Sequence, residues 1–113
     1  MNPLHITSRD ATTGPVLEVI GDLEYATAHQ LREHVSALVL RPGQRLVLDL
    51  GRLDFCDSSG ITALIAAHNC ATAAEAELAL AAVPDNTLRI LRIVGLDQVF
   101  PFFADTDTAT TTT

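Results

Sequence analysis

The sequence has no lysine and no tryptophan, a single tyrosine, a single methionine and only two cysteines. The lack of lysine and the scarcity of cysteine each remove a class of function. Without lysine, the cationic side chains are seven arginines against fourteen carboxylates, a formal charge of −7. A nucleic-acid binder needs a basic face to displace the counterions around phosphates, so no direct contact with DNA or RNA is expected. Anionic membrane surfaces are disfavoured on the same ground. Cys56 and Cys70 form no CxxC pair, and His5, His29, His34 and His68 do not fall at zinc-ligand spacings with them. No metal site is predicted, and both cysteines read as small semi-apolar core residues. No apolar run approaches the roughly 20 residues that cross a bilayer. Met1-Asn2-Pro3-Leu4-His5 offers neither a basic start nor an apolar signal core. The expectation is a cytoplasmic protein whose cysteines stay reduced.

What is present is a composition suited to one folded domain. Apolar residues make up 48% of the 113 and charged ones 19%, enough to enclose a core. Leu4-His5-Ile6-Thr7 and Val16-Leu17-Glu18-Val19-Ile20 read as a hairpin turned by Thr13-Gly14-Pro15. From Thr27 to Val39, Leu31, Val35, Leu38 and Val39 recur at helical spacing, with Thr27 as N-cap and Arg41-Pro42-Gly43 as the stop. Arg45-Leu46-Val47-Leu48-Asp49-Leu50 is too uniformly apolar to alternate, as expected of a strand covered on both faces. After Asp57-Ser58-Ser59-Gly60 the pattern is helical again: Ile61, Leu64, Ile65 and His68 share one face, and Ala63, Ala66, Ala67 and Cys70 a second. Glu77–Val83 reads as a strand, Thr87–Val94 as a short helix ended by Gly95, and Gln98-Val99-Phe100 as a last short strand before Pro101. Residues 105–113, Thr-rich and without an apolar stripe, are expected to be a disordered tail on a domain spanning 1–104. Alternating strands and helices predict an α/β fold, a mixed and mostly parallel sheet of four to five strands with helices packed on it.

The segment with chemical content is Leu53-Asp54-Phe55-Cys56-Asp57-Ser58-Ser59-Gly60-Ile61. It joins a buried strand to an apolar helix through an Asp, two hydroxyls and a Gly. The plain reading is a well-capped helix, since the first backbone N–H groups of a helix lack partners and Asp or Ser oxygens accept from them. The sharper reading uses the same physics. A helix N-terminus favours an anion, so a phosphate on a serine there is accommodated without unfolding. An enzyme fits poorly, and no catalytic residue is assigned. Neither serine sits in a GxSxG elbow, and His68 lies ten residues after Ser58 on a helix running away from the turn. No GxxxxGK[ST] or GxGxxG loop signals a nucleotide, and no cofactor is expected.

In this strand–turn–helix setting, Asp57-Ser58-Ser59-Gly60 resembles the signature of the STAS domain of bacterial anti-sigma factor antagonists. The resemblance runs over roughly residues 4–103. It takes in Gly21-Asp22-Leu23-Glu24, the helix with Leu31, the strand Leu46-Val47-Leu48-Asp49-Leu50, and Leu88–Leu96 followed by Val99-Phe100. It implies a single STAS domain whose unphosphorylated form binds an anti-sigma factor that is also a serine kinase of the GHKL ATPase type, so freeing a sigma factor. Phosphorylation of Ser58 then breaks the complex, and a serine phosphatase resets it. ATP and Mg²⁺ would be held by the kinase, and the free antagonist is expected to be a monomer. Asp57 would cap the helix and orient the Ser58 hydroxyl, Ser59 would cap or donate, and Gly60 would let the partner backbone approach. Asp22, Glu24 and Thr27 would supply rim contacts, or be ordinary solvated surface.

Three departures stand out. Glu24 replaces the Asp common in the family, the usual C-terminal helix is missing or very short, and Ala71–Ala76 lacks the Gly that often introduces the next strand. Two rival roles remain: a constitutive STAS scaffold subunit of a lipid-transport or transporter complex, and a ligand-sensing domain. For the second the sequence offers no phosphate loop and no aromatic or basic pocket.

Overall fold

The structure is a computed structural model that describes residues 2–111; residues 112 and 113 of the expected tail lie outside it. The chain forms β1 (His5–Ala11), β2 (Gly14–Leu23), α1 (Ala28–Ala37), β3 (Arg45–Asp49), β4 (Leu53–Cys56), α2 (Ser58–Ala73), β5 (Glu77–Ala81), α3 (Asp85–Ile93), β6 (Phe102–Phe103) and α4 (Thr106–Ala109). The sheet runs β1-β2-β3-β5-β6, with β4 pairing to β2. Among the described residues only β1–β2 is antiparallel, and every other pair is parallel. This is the expected mixed α/β sheet, with a sixth strand, β4, in what the sequence presents as a connection. β2 makes room for it by being ten residues long. Its first half pairs with β3, and Gly21–Leu23 then pairs with β4.

Alternation along the strands divides the core. Leu17, Val19, Leu46, Leu48, Leu78 and Leu80 pack with Leu31 and Val35 of α1, Leu64 and Ala67 of α2 and Leu91 of α3. Val16, Val47 and Ala81 point the other way and pack with Ala109 of α4. The uniformly apolar β3 is therefore covered on both faces, and its second cover comes from the segment expected to be disordered. That expectation fails over Asp105–Thr110 for a physical reason. No apolar stripe is needed, because one buried Ala and a set of polar ties hold so short a helix. Arg45 donates from Nη1 to the Ala109 carbonyl (2.9 Å), and Thr106 Oγ1 donates to Asp49 Oδ2 (2.8 Å). The guanidinium of Arg45 also lies 4.8 Å from the Phe103 ring centroid.

Other boundaries shift. β1 runs on to Ala11, so the hairpin turns at Thr12-Thr13, with Ala11 facing Gly14. The last strand lies after Pro101 and not before it. Leu96–Gln98 is a 3-10 turn, and Phe100 is buried with its ring edge-on to His68. The Pro101 and Phe103 carbonyls then accept from Leu80 of β5 and from Ala82 just beyond it. Of Gln98-Val99-Phe100, Phe100 thus serves the core rather than the sheet, while Val99 is exposed. At the end of α2, Glu75 takes φ 59°. It occupies the left-handed position a Gly would fill without strain, at a cost of about 1 kcal/mol.

Candidate functional site

The turn between β4 and α2 lies at the C-terminal edge of the parallel strands. Asp57 is the N-cap of α2: its backbone is extended and its Oδ1 accepts from the Gly60 N–H at 3.0 Å. Its second oxygen accepts from the Tyr25 N–H at 3.2 Å. One carboxylate thus ties the start of α2 to the loop that follows β2. The Asp57 N–H in turn donates to the Leu23 carbonyl at 3.2 Å. Ser58 is the first residue of α2 and is exposed, while Ser59 behind it is half-buried. By helix geometry their N–H groups have no intrahelical acceptor. Ser58 therefore presents its hydroxyl at the positive end of a sixteen-residue helix. Its carbonyl is held by the Thr62 hydroxyl at 3.0 Å.

Gly60 faces inward. A Cβ there would stand 2.5 Å from the Leu23 carbonyl oxygen and 2.6 Å from Cys56 Sγ. Its missing side chain lets α2 seat against the end of β2 within this chain, and Gly60 is buried there. Cys56, buried beneath the turn, has its thiol pushed up to about 12 by burial and then by the neighbouring Asp57 carboxylate. It stays a neutral core residue at ordinary pH. Cys70 is partly buried against the same core, and both are free thiols.

The three loop residues read as rim contacts or solvated surface are neither freely solvated nor reaching outward. Asp22 is 7% and Glu24 9% exposed. Asp22 Oδ2 accepts from the Asn2 N–H at 2.9 Å, and Glu24 Oε1 accepts from the Ala26 N–H at 2.6 Å. The longer carboxylate of Glu24 is spent on its own loop. Thr27 stands at the N-cap position of α1 but makes no side-chain cap. Its hydroxyl donates to the Asp22 carbonyl at 2.7 Å and accepts from the Glu24 N–H at 3.0 Å. Asp22, Glu24, Thr27 and Asp57 are thus brought together as a frame, with Ser58 on its surface.

That frame displays two aromatic residues that motif reading passes over. Tyr25 is 86% exposed and Phe55 is 53% exposed. The burial of β4 signals Phe55 only once β4 is known to be a strand: Leu53 and Cys56 turn in, and Asp54 and Phe55 face out. Among the described residues, no group of three or more His, Cys, Asp or Glu is placed to hold a metal ion. No helix there is long and apolar enough to cross a membrane.

Comparison with known proteins agrees with this geometry. The family profile described as "Mlab, STAS domain" matches residues 6–102. BtrV of Bordetella bronchiseptica, provisionally named an anti-sigma factor antagonist, is 31% identical over 81 residues, 72% of this chain and 70% of its own. The crystal structure of an anti-sigma factor antagonist from Mycobacterium paratuberculosis superposes with a TM-score of 0.81 at 26% identity, covering 95% of this chain and 93% of that one. The Bacillus cell fate determinant SpoIIAA, solved in its phosphorylated form, shares the fold at 19% identity, with a TM-score of 0.72 over 93% of this chain and 96% of its own. On the profile match, the sequence relatives and the six-stranded mixed sheet together, the chain belongs to the STAS-domain family of anti-sigma factor antagonists.

Proposed function

We propose that this protein is the reversible partner of an anti-sigma factor with serine-kinase activity, of the GHKL ATPase type, and that Ser58 is the switch. The unphosphorylated form binds the anti-sigma factor and so releases a sigma factor. The kinase transfers the γ-phosphoryl group of ATP to the Ser58 oxygen, and the complex parts; a serine phosphatase restores the hydroxyl. The protein acts in the cytoplasm, as a monomer when free, and is the substrate of this chemistry rather than its catalyst. The observation that carries the reading is the exposure of Ser58 at the first position of a long helix whose cap is supplied by a different residue, Asp57.

Two physical points support it. A phosphate on Ser58 brings about −1.5 to −2 charges and three acceptor oxygens to the positive end of α2, where free N–H groups receive them, so the fold has no reason to change. At an interface the same charge is costly. Unit charges about 4 Å apart interact by about 4 kcal/mol at an effective dielectric near 20, which corresponds to roughly a thousandfold in affinity.

The test is peptide mass spectrometry on protein isolated from its native cells, with and without phosphatase, alongside binding by the Ser58→Ala and Ser58→Asp variants. A phosphatase-sensitive phosphate on Ser58 is expected, with Ser58→Ala binding as the unmodified protein does and Ser58→Asp binding weakly. An unmodified Ser58 under all growth conditions, with both variants binding equally, would replace the switch with a constitutive scaffold subunit.

A further inference from the structure

We infer that Tyr25 is the aromatic anchor by which the anti-sigma factor partner recognises this protein, an inference that rests on the reading of Ser58 given above. The loop after β2 is built to hold one side chain out. Three polar side chains of the loop turn inward: Asp22 to the Asn2 N–H, Glu24 to the Ala26 N–H, and Thr27 to the Asp22 carbonyl and the Glu24 N–H. The backbone of Tyr25 itself is fastened through its N–H to Asp57, the residue next to Ser58. Only the Tyr25 ring is left unsupported, at 86% exposure, more than any other large hydrophobic side chain among the described residues.

A stiff loop presenting a bare aromatic ring suits binding because the ordering cost is met before the partner arrives. Tyrosine loses little side-chain entropy on contact and contributes a large area, which is why such residues are enriched among the few that dominate binding energy. The surrounding charges describe the complementary surface. Asp54 is exposed on β4, Asp57 is half-buried, and the chain as a whole carries −7. The partner therefore offers an apolar pocket for the ring with a basic rim, and it spans Tyr25 and Ser58 together. The shared Asp57 carboxylate makes the two parts of one contact surface.

The sequence supplies the probe. Tyr25 is the only tyrosine, so protein grown with fluorotyrosine gives one fluorine resonance, and that resonance reports on this ring alone. The titrant is the purified anti-sigma factor kinase that transfers phosphate from ATP to Ser58. On addition of the kinase the resonance is expected to shift and broaden. Tyr25→Ala is expected to weaken binding roughly thirtyfold, while Tyr25→Phe stays within about threefold because the ring and not the hydroxyl fills the pocket. Urea midpoints of both variants are expected to match the parent, since the side chain makes no buried contact. An unshifted resonance, or Tyr25→Ala binding within twofold of the parent while Ser58→Asp still loses affinity, overturns the anchor and leaves the switch standing. If no kinase labels Ser58, or if Ser58→Asp binds as tightly as the parent, the switch fails and the anchor with it.

Discussion

Two helices of this domain begin in the same way and come to different ends. Both α2 and α4 are capped by an aspartate whose Oδ1 accepts from the backbone N–H three residues on, Gly60 in one and Thr108 in the other. From Asp57 the helix runs sixteen residues through the main core; from Asp105 it runs four. The caps differ in where their remaining bonds go. Asp57 sends its second oxygen to Tyr25, thirty-two residues away in sequence. Asp105 is exposed and adds only the hydroxyl of Thr108. Below them the contrast continues: α2 buries Ile61, Ala63, Leu64, Ala67 and Ala71, and α4 buries Ala109 alone. A capping bond thus starts a helix, and tertiary burial decides how far it goes and whether other parts of the molecule depend on it.

The comparison can be broken hardest at Gly60. Gly60→Ala forces a methyl group against the Leu23 carbonyl and Cys56 Sγ, and is expected to destabilise the domain by about 2–3 kcal/mol in urea denaturation. Nothing corresponding exists in α4. A Gly60→Ala protein as stable as the parent would mean that α2 does not seat on β2 so closely.

Removing each cap in turn sharpens the contrast. Asp57→Ala strips the acceptor from two backbone N–H groups in different elements and is expected to cost about 1–2 kcal/mol, with faster amide exchange at both Gly60 and Tyr25. Asp105→Ala should cost less than Asp57→Ala by the same denaturation and confine its effect to residues near Thr108, because that cap is exposed and local. Equal costs would show that the wiring to Tyr25 contributes nothing.

The smallest effect is on pH. The Thr108 backbone N–H, helped by the Thr108 hydroxyl, holds the Asp105 carboxyl below its ordinary value of 3.8. A carboxyl lowered in the folded state stabilises fully above its unfolded value, and that contribution drains away as pH falls through the folded one. Protection of the Thr108 amide, its exchange measured against the intrinsic rate at the same pH, is therefore expected to fall on acidification below about pH 4 in the parent but not in Asp105→Ala. A parent and variant with the same acid profile would remove Asp105 from the account of α4.

Much of the site is legible in the residues themselves. Asp57-Ser58-Ser59-Gly60 after an apolar strand reads as a capped helix start with an exposed serine, because capping acts over three residues and needs only local sequence. The roles of Gly60, Asp22, Glu24 and Thr27 are not legible in that way. A glycine that admits a partner and one that admits its own β2 look identical in sequence, and only the position of Leu23 and Cys56 separates them. Asp22, Glu24 and Thr27 have the composition of a solvated surface. They are instead fastened inward because β2 and β4 end side by side, pairing Leu23 with Cys56 and bringing Tyr25 onto Asp57.

The sequence alone determines the α/β order, the apolar β3, the helical phase of α1 and α2 and the place of Ser58, because each follows from periodicity or from contacts a few residues apart. The tertiary structure decides the rest: β4 as a strand, the shift of the last strand past Pro101, the docking of α4 and the exposure of Tyr25. Each of these rests on a partner far away in the chain. β4 needs the far half of β2, and β6 needs the edge of β5. α4 needs Arg45 and Asp49, and the Tyr25 loop needs Asp57. Short segments with little apolar surface take their structure from such partners, since they cannot bury enough area of their own to offset the entropy of ordering.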